Sequence, residues 1–219
     1  MPDQGPDQPN VVDIERLFGE SDQLAAELFA VVGDLQLVND SELVRVADLA
    51  CSLSLEHWFS ARVLLQGALL PSALVVHRAQ FEALTRSIWL TYAATDENIG
   101  KFTADLSLDS EQAAKNSPGV DKMMQQIAAK APKPAHDGLL RFKDQSWRAL
   151  NSYAHAGIHP LRRHEQGYPV KLVRDVLGNV NGLAVFSCMQ AVILRGAQPL
   201  QREILDIAAR YPDCTPAPL

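Results

Sequence analysis

At 219 residues the chain is long enough to bury one substantial core without a second domain, and its 47% apolar and 6% aromatic content, rich in Leu, Ala and Val, favours helix-on-helix packing over a sheet. The formal charge of −6 argues against a general nucleic-acid coat protein. Residues 1–60 hold 12 acids and two bases, so residues 61–219 carry a net +4 and are the part that an anionic ligand would meet.

The opening MPDQGPDQPN lacks the basic start and apolar run of a signal peptide. It also has too little apolar surface to offset chain entropy, so residues 1–10 are expected as a disordered tail, followed by one helical-bundle domain over residues 11–210 and a second tail over 211–219. From Val12 to about Leu37, Ile14, Leu17, Phe18, Leu24, Leu28, Val31, Val32 and Leu35 recur at three- and four-residue intervals, which predicts an amphipathic helix with an acidic outer face. Asn39 to Glu42 cap a second long helix that runs to Gln66 and ends at Gly67. The apolar span Val63 to Val76 contains Gln66, Gly67 and Pro71 and runs into His77 and Arg78, so it reads as a buried turn rather than a membrane crossing.

Pro71 opens a third helix, from Leu70 to about Ala94, whose apolar density suggests a central position. One flank of it reads His77, Arg78, Glu82, Arg86 and Trp89. A charged stripe on a buried helix must pair internally or line a cleft, because an unpartnered buried charge is costly. Residues 95–137 change character, with few large apolar residues and the breakers Gly100, Pro118, Gly119, Pro132 and Pro134; short surface helices over 97–105, 111–116 and 120–130 are expected, forming an irregular insertion or a lid. Asp137 is expected to cap a helix that ends at Gly157, followed by a loop from Ile158 to Pro169. Val170 to about Gln198 should form a last long core helix in which Gly178 and Gly182 permit close approach of a neighbour, and Pro199 to Arg210 a short terminal one. The fold expected is all-α, an antiparallel bundle of four to five long helices with short peripheral helices.

Chemistry concentrates in Ser146 to His164, SWRALNSYAHAGIHPLRRH. Arg148 and His155, seven residues apart, project from one helix face with Asn151 between them. A permanently charged guanidinium beside a ring that titrates near neutrality can hold a phosphodiester and move a proton. His159, Arg162 and Arg163 follow as a candidate grip on the phosphate backbone, with Tyr153 or Tyr168 as a base-stacking ring. Arg162 and Arg163 are equally suited to docking on the acidic first helix, and Arg148 to a structural bond with Glu82. His155 and His159 have the spacing of two metal ligands, but Gly157 and Pro160 interrupt the helix and no nearby Glu completes a zinc motif, so no metal and no cofactor are expected. Cys51, Cys188 and Cys214 show neither metal nor redox spacing, which fits a reducing cytoplasm.

An arginine, six residues and a histidine near the end of a late helix resemble the signature of the HEPN superfamily, and Ala79 to Leu90, with Glu82 and Arg86 one turn apart, resembles the earlier core helix of such domains. With the run His155, Ala156, Gly157, the chain is also similar to a broad group of uncharacterised bacterial all-helical proteins. The resemblance implies a metal-independent ribonuclease of toxin or phage-defence type, with Arg148, His155 and Asn151 catalytic and Arg78, Glu82, Arg86, His159, Arg162 and Arg163 binding substrate. It further implies an RNA substrate, a homodimer that brings two motifs together, and a cognate antitoxin or other partner protein. The rival expectation is a non-catalytic helical binding module in which the same Arg and His cluster clamps a nucleotide or a partner protein.

Overall fold

The computed structural model describes residues 11–216. The expected tail over residues 1–10 lies outside the described residues, as do residues 217–219. Five long helices of 22–25 residues form the antiparallel bundle: α1 (Val11–Val32), α2 (Glu42–Gln66), α3 (Leu70–Tyr92), α7 (Lys133–Ala154) and α9 (Val170–Leu194). Shorter helices fill the periphery: α4 (Asp96–Thr103), α5 (Leu108–Ala114), α6 (Val120–Lys130), α8 (Ile158–Gln166) and α10 (Leu200–Ala209). There is no strand among the described residues.

Helix α3 is the centre of the bundle, packing on α2, α6, α7 and α9. Its closest partner is α2, which begins under a Ser41 cap whose hydroxyl accepts from the Val44 amide. Short polar side chains tie this hairpin: the Ser54 hydroxyl donates to the Gln80 carbonyl at 3.0 Å and the Ser87 hydroxyl to the Ala47 carbonyl at 2.7 Å. Around it Trp58, Phe81 and Trp89 are fully buried, each contributing roughly 2–3 kcal/mol of apolar transfer energy. Helix α9 is the one described helix long and apolar enough to cross a membrane, and it lies mostly buried among α1, α2, α3 and α10.

The close neighbour that Gly178 and Gly182 admit is the chain's own carboxyl-terminal segment, since a Cβ on Gly182 would meet the Pro216 ring at 2.6 Å. Residues 211–216 are held down rather than trailing: Cys214 is buried, Asp213 pairs with Arg16 and Arg174, and the Tyr211 hydroxyl donates to Glu27 at 2.7 Å.

Several boundaries differ from those expected: α1 stops at Val32 rather than about Leu37, and α9 at Leu194 rather than about Gln198. Helix α7 starts at Lys133, ahead of Asp137, because Pro132 and Pro134 supply helix-ready φ angles where no N–H donor is needed. Asp137 instead pairs with Lys133 one turn back at 2.7 Å. Residues 158–166 are helical rather than a loop, since Pro160 falls in the first turn of α8 and forfeits no bond there. Within 95–137, α4 buries Ile99 and α6 buries Met123, Met124 and Ile127 against the core, and only α5 stands clear of it.

Helix α7 ends one residue earlier than Gly157 suggests. Ala156 takes the left-handed position (φ 50°), while the Gly157 amide reaches back to the Ser152 carbonyl at 2.7 Å, a Schellman turn with alanine where glycine is favoured. Ala156→Gly is therefore expected to raise stability by about 1 kcal/mol, read as a higher urea midpoint at unchanged m-value.

A buried polar chain runs through this apolar bundle. The Gln80 amide donates to the Val180 carbonyl at 3.0 Å, which leaves its oxygen to accept from Nδ1–H of His77 at 2.9 Å. Burial pushes the His77 imidazole down to about 4, only partly offset by Gln80. The unfolded ring titrates near 6.5, so the unfolded state binds more protons between those values, and the stability contributed by neutral His77 is complete above about pH 6.5 and lost as pH falls toward 4. The loss should reach about 2 kcal/mol by pH 5, and His77→Gln should flatten that slope in denaturant melts run from pH 7 to 5.

Candidate functional site

The carboxyl-terminal end of α7 and the adjoining α8 carry the site. Leu139, Phe142, Leu150 and Tyr153 form the buried side of α7, so the opposite side faces solvent. Arg148 and His155 lie there, both exposed, with Asn151 half-buried between them. Seven residues of helical rise separate the two by about 10 Å, a span that the long arginine side chain can shorten. Neither Arg148 nor His155 spends its side chain on a hydrogen bond or ion pair among the described residues. His155 is the C-cap of α7, which places its ring at the corner where the chain turns into α8. That corner is braced: the Ser152 hydroxyl accepts from the His159 amide at 3.2 Å, and a Cβ on Gly157 would meet that hydroxyl at 2.5 Å.

Past the corner, α8 presents His159, Arg162 and His164 to solvent and carries Arg163 half-buried. Arg162 bonds Glu165 within the same helix at 3.2 Å rather than docking on α1. Three acids of α1 have their own partners: Asp22 pairs with Arg62, Glu20 with Arg16, and Glu27 with Arg210. The Tyr153 ring is buried and offers no open stacking face, and burial with Tyr168 alongside raises its phenol, offset in part by Arg163. The Tyr168 hydroxyl is buried without a hydrogen-bond partner. His155 and His159 sit on different elements, and no group of three or more His, Cys, Asp or Glu is placed to hold a metal among the described residues.

The stripe on α3 is a separate assembly. Arg78 bonds Glu82 at 2.9 Å and stacks over the Trp147 ring at 5.1 Å, while Arg86 lies over Phe102 at 5.1 Å. The buried Arg78 Nε and Arg86 Nη1 groups have no hydrogen-bond acceptor, so the aromatic rings are what face these cations. Desolvation lowers the Arg86 pKa from its ordinary value, with Glu82 opposing. Glu82 thus serves Arg78 and not Arg148, which excludes the structural bond between Arg148 and Glu82. Arg78, Glu82 and Arg86, expected to help bind substrate, are occupied with one another and with rings from α7 and α4. No hydrogen bond or ion pair joins them to Arg148, Asn151 or His155 among the described residues.

The groups that sequence reasoning passed over are buried ones. Asn181 accepts from the Trp58 indole N–H at 2.9 Å, donates to the Cys214 carbonyl at 2.8 Å and bonds Ser21, whose hydroxyl also accepts from Arg62 at 2.9 Å. The available signal was an amide side chain set among apolar residues in the most apolar helix, which also carries Asn179 and Gln190. All three cysteines are free and buried, and burial raises their thiols, Cys188 to about 12 and Cys214 to about 11. They are not poised nucleophiles.

Two open hollows lie away from α7 and α8. One of about 450 Å³ between α1 and α10 is lined by Glu27, Val31, Glu203 and Arg210, and one of about 380 Å³ borders Arg174 and Asp213. Neither includes a residue of the Arg148 and His155 face. No curated protein and no solved structure matches the chain. A family model does match, over residues 51–217, a span running from within α2 through the α7–α8 corner to the docked carboxyl-terminal segment. The chain accordingly belongs to DUF6988, a family of unknown function.

Proposed function

We propose that this protein is a HEPN-like, metal-independent ribonuclease acting in the cytoplasm, with Arg148 and His155 as its reacting pair. The observation that carries the reading is that a guanidinium and an imidazole, two turns apart on one face of α7, are both exposed and uncommitted among the described residues. A lone structural arginine gains by pairing, while one kept free beside a titratable ring is available to an anionic ligand.

The chemistry follows from those two groups. A 2′-hydroxyl attacks the adjacent phosphorus, the new O–P bond forms as the 5′-oxygen leaves, and one proton is taken from the nucleophile while another is given to the leaving group. His155 moves one of these protons. His155 of a second copy moves the other, so that a homodimer completes the site. Arg148 neutralises the charge that builds on the phosphorane, and Asn151 orients the imidazole. A role in growth arrest or phage defence, checked by a cognate antitoxin, is the biological setting this chemistry fits.

A second reading is favoured by one residue. Ala149 stands directly after the arginine, where HEPN nucleases usually carry a polar side chain, and it contributes nothing to proton transfer. On that reading the same face is an anion clamp for a nucleotide or a partner protein. Incubating the purified protein with assorted RNAs over a range of protein concentrations separates the two: the nuclease shortens the RNA, and the clamp leaves it intact while retaining it.

A further inference from the structure

Among the described residues α5 and α8 are the two helices without a buried residue, and each holds its apolar side chains out to solvent. Leu106 and Leu108, at the entrance to α5, are 96% and 85% exposed, and Ile158 and Leu161 on α8 are 67% and 64% exposed. Among the described residues, four of the five large apolar side chains more than 60% exposed therefore sit on or at the entrance to these two elements, with Leu49 the fifth. Apolar groups scattered singly over a surface need no explanation, but paired ones on elements that serve no core do.

The two elements carry opposite charge. Around the leucines the sequence reads Asp105, Leu106, Ser107, Leu108, Asp109, with Glu111, paired to Lys115, one turn on; α8 carries Arg162, Arg163 and His164 against one acid, Glu165, which bonds Arg162, so the net charges remain opposite. The leucine tip is also ordered before anything binds it. The Ser107 hydroxyl accepts from the Ser110 amide at 3.1 Å, and the Ser110 hydroxyl accepts from the Ser107 amide at 2.8 Å and donates to the Asp105 carbonyl at 2.8 Å. A capped turn that holds two leucines in water loses little entropy on docking, which favours association.

We infer that the occupant of the acidic leucine tip is the basic, apolar face of α8 on a second copy of this chain. Charge complementarity selects the partner: the carboxylates of Asp105 and Asp109 meet Arg162 and His164, while Leu106 and Leu108 cover Ile158 and Leu161. When each copy offers its tip to the other's α8, the contact is made twice about a two-fold axis and the assembly closes as a dimer. The surface lies beside His155 but does not rest on the ribonuclease reading, because its test reads mass and not cleavage.

The test is the mass of the full chain by light scattering on a sizing column. Wild type is expected to run as a dimer, and Leu106→Ser with Leu108→Ser, or Ile158→Ser with Leu161→Ser, as a monomer of unchanged helicity. Charge reversal guards against folding artefacts: Asp105→Arg with Asp109→Arg, and separately Arg162→Glu with His164→Glu, should each give monomers, whereas all four changes in one chain should restore the dimer. A wild type that stays monomeric up to about 100 μM, a serine variant that remains dimeric, or a fourfold reversal that fails to reassociate would each overturn the inference.

Discussion

Alanine at His155 should lower the rate of RNA cleavage by about 100- to 10,000-fold, the usual span for loss of a proton-transfer group, while leaving the melting temperature where it was. The second half of that expectation follows from burial. His155 is exposed at the α7 C-cap with its side chain unengaged among the described residues, so truncating it removes no packing and orphans no partner. Arg148→Ala should cost about 100- to 1000-fold for the parallel reason that its charge acts on the phosphorane and not on a neighbouring residue. Arg148→Lys should recover only part of the rate, since a point charge replaces a two-pronged donor. Rates from single-turnover cleavage, set beside thermal melts of the same preparations, check both statements. A loss of rate that tracks a loss of fold would assign these residues to structure.

The opposite pattern is expected at Asn181. Replacing it by leucine should cost about 3–5 kcal/mol and lower the melting temperature by roughly 10 °C, with little change in the intrinsic rate of whatever stays folded. Its side chain is fully buried and is shared by four elements: the Trp58 indole of α2, Ser21 of α1, the Cys214 carbonyl of the docked terminus, and α9 itself. Removing the amide strands the indole N–H and the carbonyl together, and each unsatisfied buried group costs about 1–3 kcal/mol. Asn181→Asp retains the acceptor and loses the donor, and it buries a carboxylate close to the buried Arg62 guanidinium, which bonds Ser21 and pairs with Asp22; it should fall between wild type and leucine. Chemical denaturation at two pH values measures the series.

These two residues also mark what the sequence made legible. Helix periods of three and four residues located all five long helices to within a few residues, because that spacing is imposed by burial and nothing competes with it over 22–25 residues. Boundaries failed where proline and glycine were read as stop signs. Pro160 and the Pro132 and Pro134 pair open helices, and Gly157 lies one residue past the left-handed position, which Ala156 occupies. The α3 stripe was legible as a set of charges but not as a closed set, since its partners Trp147 and Phe102 lie 69 and 16 residues beyond Arg78 and Arg86 respectively, and only the fold brings them together. Asn181 was passed over for the same reason: a polar residue in an apolar helix declares a partner without saying where in the chain it lies. The exposed face of Arg148 and His155 was legible because the helical repeat alone sets it.

The most direct measurement is the chemistry of the RNA ends that the purified wild-type protein makes in the presence of a metal chelator. Proton transfer by His155 with charge neutralisation by Arg148 predicts cleavage that persists without free divalent ions and leaves 2′,3′-cyclic phosphate on one fragment and a 5′-hydroxyl on the other. Cleavage that stops on chelation, fragments ending in a 5′-phosphate, or RNA left whole at every protein concentration would contradict it.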